Sequence, residues 1–374
     1  MQGDTVRFRL LEMLREFGEA QMTEAQNLTL TQRHAAYFLH LAEHAEPHLT
    51  GPEQARWLHC LADEQDNLRL VLRGSGSSSQ DSELRLRLAA ALWRLWSIRG
   101  PLDEGRQFLE RMLENAGALE NTAVAARALN GLAVLTRRQG DLEAAEAVQY
   151  RCLALWRILQ DTRGIASCLN NLGTLTTMKG DFLAAQYLLE ESLALWREIA
   201  QPLSIAQTLN NLGYLAKEQG KPQKARQICI ESLGIFRHLN NPQGKTLSLS
   251  ILSATAVSMK DYETALPFCR EVLEIASLLN DSQTIVTCLQ TLAEMRFYRG
   301  SPLEAAKLLG CAGHLRAQIG SFQDRRAQIE VAQLTETVRI TLPPAEFTSA
   351  WAAGNVLTLK EAVAFAFSNL TRTQ

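Results

Sequence analysis

One pattern of forty residues recurs six times between residues 84 and 322, and it limits the chain to a repeating architecture. Glycine marks one point of the pattern, a leucine stands eight residues before it, and a small residue stands five residues after it. The glycine column consists of Gly100, Gly140, Gly180, Gly220 and Gly300, with Lys260 as the single exception. A period of this length is typical of stacked two-helix units and excludes a single compact core.

Each copy of the pattern predicts two antiparallel helices joined by a tight turn. The glycine permits the left-handed backbone that ends the first helix. Asp141 and Asp181 follow it directly and are suited to cap the second helix. The small residue lets the two helices approach closely, and the leucines form an apolar stripe at helical spacing. Because one helix pair cannot bury both of its faces, neighbouring pairs must stack into a solenoid.

The segment Leu-Asn-Asn-Leu-Gly occurs twice in this register, at 169–173 and at 209–213. Asparagine is a poor helix former, so the repeated pair needs an explanation beyond helix propensity. The leucines and the glycine fit the packing stripe. The first asparagine belongs to a column that contains Asn130, Asn170 and Asn210. A row of carboxamides can hold a peptide backbone, or it can hydrogen-bond neighbouring helices and set their spacing.

Composition argues against several classes of function. The net charge of −2 and the isoelectric point near 6.4 show no basic excess, so we expect no direct nucleic-acid partner. The seven cysteines contain no Cys-x-x-Cys pair and read as reduced, buried thiols. The N-terminal residues lack the apolar core of a signal peptide, and no apolar run is long enough to span a membrane. We therefore predict a cytoplasmic protein without a membrane segment.

Two short motifs suggest chemistry that their context does not support. Gly244-Lys245-Thr246 ends like a phosphate-binding loop, but Leu239 stands where the first glycine is required and no strand precedes it. His40-Leu-Ala-Glu43-His44 has the spacing of a zinc peptidase, and the simpler reading is a solvated helix surface. We expect no cofactor, no metal and no catalytic residues. A zinc enzyme built on the histidine motif stays as a lesser alternative.

The pattern Leu-x-x-Leu-Gly, followed by a Gly-Asp or Gly-Lys turn and by x-x-Ala-Ala, resembles the tetratricopeptide repeat. Its period of forty differs from the usual 34 and implies helices lengthened by about a turn and a half. The resemblance implies an all-α solenoid of about six repeats whose first helices line a concave ligand groove. The residues that it places in this groove are Arg87, Arg94, Arg127, Asn130, Arg137, Arg138, Asn170, Thr174, Asn210, Tyr214 and Lys217.

Two alternatives remain open for these groove residues. By resemblance to kinesin light chain and to peptide-sensing bacterial regulators, the asparagine column would hold an extended peptide. The second asparagines of the two pairs, Asn171 and Asn211, should point more sideways. The arginines either attract an acidic part of the ligand or pair with acidic residues of adjacent helices.

The flanks of the repeat region resemble a second family. The segments at 7–22, 33–72 and 346–366 are similar to the C-terminal part of bacterial STAND regulators, which are signal-transduction ATPases. This implies a winged-helix remnant at 1–26, a helical connector at 27–83 with a flexible joint at 74–79, the repeats at 84–322, and a capping region at 323–374. We expect two helices in the capping region, at about 324–340 and 344–370. It also implies an upstream NB-ARC-like nucleotide-binding domain as a partner.

The combined reading is a peptide-binding or protein-binding sensor of a STAND-type signalling or transcriptional regulator. Two alternatives share the same fold. One is a small-molecule receptor solenoid that controls an upstream ATPase, and the other is a free-standing adaptor scaffold.

Overall fold

The computed structural model describes residues 17–18, 20–49, 53–74, 78–279, 281–319 and 325–371. Within these ranges the regular structure is entirely helical, with eighteen α-helices and no strand. Most of the predicted winged-helix remnant lies outside the described residues, as do three residues of the predicted flexible joint, 75–77. No helix in the described ranges is both long and apolar enough to cross a bilayer.

The chain divides into two compact units, Met1–Leu135 and Thr136–Gln374. The helices that begin in the first unit are α1 Glu24–Ala45, α2 Gln54–Asp63, α3 Gln65–Arg73, α4 Ser79–Arg99, α5 Leu102–Glu114 and α6 Ala123–Arg138. Short 3-10 turns occupy Glu46–Leu49 and Gly117–Leu119. The last residues of α6 belong to the second unit.

The second unit continues the alternation of helices. Its helices are α7 Leu142–Ile158, α8 Thr162–Lys179, α9 Phe182–Glu198, α10 Pro202–Glu218, α11 Pro222–His238, α12 Pro242–Ser258, α13 Tyr262–Leu279, α14 Ser282–Tyr298, α15 Pro302–Ile319, α16 Arg325–Thr341, α17 Pro344–Asn355 and α18 Leu359–Thr371. The even-numbered helices from α4 to α14 are the first helices of the six repeats. The odd-numbered helices from α5 to α15 are the second helices.

Backbone geometry at the turns recurs with the forty-residue period. The turn residues have positive φ throughout: Gly100 68°, Gly140 87°, Gly180 87°, Gly220 70°, Lys260 60° and Gly300 82°. Lys260 thus takes the conformation of its column without being glycine. A second column of positive φ, at Gln160, Ala200 and Asn240, lies between repeats and has no glycine to reveal it in the sequence. At Gln160 and Ala200 the backbone is therefore left-handed although these residue types disfavour that conformation.

The turn carboxylates and the small residues act as expected. The side chain of Asp141 accepts a hydrogen bond from the Ala144 N–H at 3.1 Å, and Asp181 does the same for Ala184 at 3.1 Å. The alanine of the small-residue column is fully buried at Ala145 and in each later repeat. Each second helix therefore begins with a satisfied N–H group and packs closely on its partner.

The glycines of the two Leu-Asn-Asn-Leu-Gly segments lie where the helices of one repeat touch. A Cβ atom on Gly173 would lie 2.5 Å from Leu189 Cγ, and one on Gly213 would lie 2.3 Å from Cys229 Sγ. Both distances are far below van der Waals contact. These positions need glycine for its lack of a side chain, since both lie inside helices with ordinary φ angles.

The C-terminal helices complete the apolar core of the last repeats. Buried side chains of α16, of the residue after it and of α18 join the same cluster as α14 and α15: Val338, Leu342, Ala362 and Ala366. The backbone of α17 packs directly on α15, because a Cβ on Gly354 would lie 2.0 Å from the Lys307 carbonyl oxygen. The sequence suggested one helix over 344–370, whereas residues 356–358 divide this stretch into α17 and α18.

Candidate functional site

The arginines of the first unit are engaged by acidic residues of the segment that precedes the repeats. Arg87 donates from Nε and Nη2 to the two carboxylate oxygens of Glu43, at 2.9 Å each. This hydrogen bonding raises the pKa of Arg87. Arg127 forms an ion pair with Glu46. For these two arginines the structure shows pairing with adjacent acidic residues, and not the open cationic surface that an acidic ligand would need.

Arg94 is also withdrawn from solvent. Its guanidinium carbon lies 4.3 Å from the centroid of the Trp93 ring, in a cation–π contact. Burial lowers the pKa of Arg94, and the charge of Glu46 opposes this effect. Burial in turn raises the pKa of Glu46, against the influence of Arg127 and Arg94. Glu46 therefore serves as the counter-charge for two of the predicted groove arginines.

The asparagines of the second unit link consecutive first helices. Asn211 on α10 donates from Nδ2 to Oδ1 of Asn170 on α8, at 2.9 Å. The hydroxyl of Thr174 is turned back to the Asn170 carbonyl oxygen at 3.0 Å. Sequence reasoning left the second asparagine without a role, and the structure gives it an inter-repeat hydrogen bond. Asn130 of the first unit is half-buried on α6.

Asn210 differs from Asn170 in its exposure. Its Oδ1 accepts a hydrogen bond from the Ser248 hydroxyl on α12 at 2.8 Å, and the residue is only 4% exposed. The neighbouring first helix therefore covers Asn210, and its contact with a ligand stays a prediction. A serine two residues before the asparagine column gave no signal of this contact in the sequence.

Tyr214 and Lys217 stand one and two turns after the asparagine pair on α10, and both are half-buried. Lys217 Nζ lies 2.8 Å from Glu218 Oε1 and 5.4 Å from the centroid of the Tyr214 ring. On α14, burial raises the pKa of Glu294. The charge of Glu330 on α16 raises this pKa further, and the charge of Lys217 lowers it. We use the name first-helix face for the surface that carries Asn170, Tyr214, Lys217 and Glu294.

Arg137 and Arg138 form a basic pair where α6 enters the second unit. Arg137 Nη1 lies 4.0 Å from Met178 Sδ on α8. Burial lowers the pKa of both arginines, and the charge of Arg138 lowers that of Arg137 further. Arg137 thus lies beside a second positive charge, that of Arg138.

The two motifs that resembled catalytic sites have other roles. The rings of His44 and His48 lie against Trp57, with centroids 5.1 and 5.4 Å away, and Glu43 is held by Arg87. Among the described residues, no group of three or more His, Cys, Asp or Glu side chains is arranged to hold a metal ion.

Gly244, in the motif that resembled a phosphate loop, lies in the first turn of α12. Its N–H is bonded to Asn241 Oδ1 at 2.7 Å, and a Cβ there would lie 2.1 Å from the Phe236 ring. Phe236 therefore explains the glycine as a packing requirement between repeats.

A cavity of about 340 Å³ lies between α9, α10 and α11, and sequence reasoning missed it. Leucines form its floor, and charged residues line its rim, among them Glu190, Arg197 and Glu231. The equivalent cleft between α7 and α9 is bridged, because Lys179 Nζ contacts Glu146 Oε2 at 2.6 Å. In the next repeat these two positions are Gln219 and Gln186. The replacement of this charge pair by two glutamines is the feature of the sequence that could have indicated the cavity.

Comparison with known proteins agrees with this geometry. Two profiles described as tetratricopeptide repeat match residues 124–198 and 205–243. No curated protein matches the chain.

Among similar solved structures, a Rap protein complexed with competence and sporulation factor has a TM-score of 0.58 and 13% identity, over 91% of this chain and 93% of that one. The apo form of RapI has a TM-score of 0.56 and 16% identity, over 76% and 99%. The STAND protein PH0952 from Pyrococcus horikoshii, which has a tetratricopeptide repeat sensor, has a TM-score of 0.51 and 13% identity. This match covers 81% of the present chain and 46% of PH0952, so the chain spans about half the length of that protein. At these identities the likeness concerns the fold, and the chain is a tetratricopeptide-like α-solenoid.

Proposed function

We propose that this chain binds an extended peptide along its first-helix face. Tetratricopeptide folds are typically non-catalytic scaffolds that bind proteins or peptides. The observation that carries the proposal is the Asn211–Asn170 hydrogen bond. Because Oδ1 of Asn170 is occupied by Asn211, the amide is oriented, and its Nδ2 donors have no acceptor among the described residues. An oriented carboxamide is suited to a peptide carbonyl group.

Neighbouring residues would define the rest of the peptide site. Tyr214 and Lys217 add an aromatic surface and a cation on the next first helix. Arg137 and Arg138 favour a carboxylate. The ligand that fits these groups is an extended peptide that offers backbone carbonyls to Asn170 and an acidic residue to the arginine pair.

Binding can be tested with a library of acidic peptides and fluorescence anisotropy. Combining Asn170→Ala with Tyr214→Ala should weaken capture about tenfold or more, because each lost contact is worth roughly 1 kcal/mol. Tyr187→Ala is the matched control, since Tyr187 is 69% exposed on the second helix α9. Equal affinity of the double variant and the wild-type chain would contradict the proposal.

The proposed biological role is that of the sensor of a STAND-type regulator. The likeness to the P. horikoshii protein supports it at the level of fold. In this role, peptide binding would bias the state of a nucleotide-binding ATPase domain, in the same chain or in a partner. The test is ATP hydrolysis by that domain, joined to this chain, with and without the peptide. If saturating peptide leaves hydrolysis unchanged, the regulator role fails while the peptide site stands.

The cavity between α9 and α11 supports a second candidate function, that of a small-molecule receptor. Its apolar floor and charged rim suit a small amphipathic metabolite. A thermal-shift screen would detect such a ligand, because a compound present at a free concentration of one hundred times its Kd stabilises the fold by about 2.7 kcal/mol. Ile228→Trp, which fills the cavity, should abolish the shift without changing peptide capture.

A further inference from the structure

Two pairs of buried cysteines lie with their sulfur atoms close together. Cys152 on α7 and Cys168 on α8 have Sγ atoms 3.1 Å apart. Cys269 on α13 and Cys288 on α14 have Sγ atoms 2.9 Å apart. All four cysteines are buried in the reduced form. Each pair joins the second helix of one repeat to the first helix of the next, so both lie at the same kind of interface.

The repeat pattern shows why the thiols of the first pair meet. Forty-residue steps carry Cys152 to Ser232 after two repeats, and Cys168 to Ser248. Those two serines are also in contact, with Oγ atoms 3.2 Å apart. The stacking of the helices therefore brings these two positions together whatever the residue type. At 152 and 168 both residues are cysteine, and the interface holds a dithiol. The second pair shares one of these positions, since Cys288 lies in the column of Cys168 and Ser248, whereas Cys269 stands three residues before the column of Cys152 and Ser232.

We propose that Cys152–Cys168 and Cys269–Cys288 are two sites of intramolecular disulfide formation that lock adjacent repeats together. A disulfide has an S–S length of about 2.05 Å, so each pair needs to close by only about 1 Å. The inference is independent of the peptide site, because it concerns the interfaces between repeats and not the first-helix face.

The oxidant required is a two-electron oxidant of the peroxide class. One thiol of a pair is oxidised by hydrogen peroxide to a sulfenic acid, and one water is released. The second thiol displaces the sulfenic hydroxyl group as a second water, and the S–S bond forms. The pair loses two protons and two electrons in total, and a small dithiol restores it by exchange.

Burial of the thiols slows their oxidation. Hydrogen bonding within each pair and burial raise the pKa of Cys168 and of Cys288, so few reactive thiolates are present at neutral pH. Peroxide therefore reacts when the repeats separate transiently, and brief exposure leaves the thiols reduced. Once formed, each bond crosslinks residues 16 or 19 positions apart and restricts the unfolded chain.

The experiment uses the full chain, fully reduced and then freed of reductant. It is incubated with hydrogen peroxide for increasing times, alkylated, and digested without reduction for mass spectrometry. We expect two crosslinked peptides, Cys152 with Cys168 and Cys269 with Cys288, together with a rise in Tm that dithiothreitol reverses. Sulfinic acids on single residues, scrambled pairs, or thiols that stay fully reduced would overturn the proposal, as would crosslinks without any rise in Tm.

Two variants keep the test specific. Cys152→Ser should lose the first crosslink and keep the second, and it should fold because the interface already accommodates serine at Ser232. Cys229→Ser is the control, since Cys229 is buried against Gly213 and burial raises its pKa to about 12. This control should keep both crosslinks. Loss of both crosslinks in Cys229→Ser would mean that they depend on a thiol outside the two pairs, which refutes the assignment.

Discussion

Replacement of Gly173 by alanine should destabilise the second unit, although alanine is the better helix former. The added Cβ would lie 2.5 Å from Leu189 Cγ and 2.7 Å from Leu189 Cδ2. Leu189 is fully buried, so its branch point has no free space to move into. Overpacking of a core typically costs about 1–3 kcal/mol, and this contact involves a branch atom, so we take a cost of about 3 kcal/mol.

The gain in helix propensity offsets part of that cost. Alanine is favoured over glycine inside a helix by roughly 1 kcal/mol. The net loss for Gly173→Ala is therefore about 2 kcal/mol, which corresponds to a fall in Tm of roughly 4–8 °C for a unit of this size. Gly234→Ala on α11 is the matched control, because a Cβ there meets nothing within 4 Å. It should raise the free energy of unfolding by about 0.5–1 kcal/mol.

Urea unfolding followed by circular dichroism measures both variants. The double variant Gly173→Ala/Leu189→Ala completes the test: with the leucine removed, the alanine at 173 should be neutral or stabilising relative to Leu189→Ala alone. If Gly173→Ala is as stable as Gly234→Ala, close approach is not the reason for glycine in the Leu-Asn-Asn-Leu-Gly segments.

Three further predictions follow from single contacts. Ser248→Ala leaves the buried Oδ1 of Asn210 without its donor and should lower the free energy of unfolding by about 1–3 kcal/mol in urea titrations. Burial raises the folded-state pKa of Glu294 above the ordinary value of 4.5, so the folded state binds a proton more tightly than the unfolded state. Stability therefore falls as the pH rises from 4.5 through the folded-state pKa. Glu294→Gln should flatten this pH dependence and be the more stable form at neutral pH, as measured by Tm against pH. Glu43→Gln weakens the ion pair with Arg87, and because both side chains are about one-third exposed, the loss should stay below about 1 kcal/mol and shrink in high salt.

Each of these predictions has a control. Ser250→Ala changes a half-buried serine on the same helix and should cost less than Ser248→Ala. Glu346→Gln, at an exposed position, should leave the pH dependence of Tm as it is in the wild type. Glu336→Gln affects the more exposed pair with Arg339 and should have a smaller effect than Glu43→Gln. A reversal of any of these orders would contradict the corresponding contact.

The repeat architecture was predictable because its causes are local and recur. Turn glycines, capping aspartates and buried alanines each act within one helix pair, so forty-residue spacing displays them directly. The same reasoning failed for the positive φ of Gln160 and Ala200, since neither residue type favours it. It also missed the division of 344–370 into two helices.

The candidate site was less predictable, because exposure and pairing depend on residues far apart in sequence. Asn170 and Asn210 occupy the same repeat position, yet one is half-buried and the other is covered by the next first helix. Arg87 finds its carboxylate 44 residues earlier, and Arg127 finds its own 81 residues earlier. The sequence by itself thus determined the helices, their pairing and the stacking. Only the tertiary structure decided which polar side chains are satisfied within the protein and which remain for a ligand, because burial and hydrogen bonding are properties of packed neighbours.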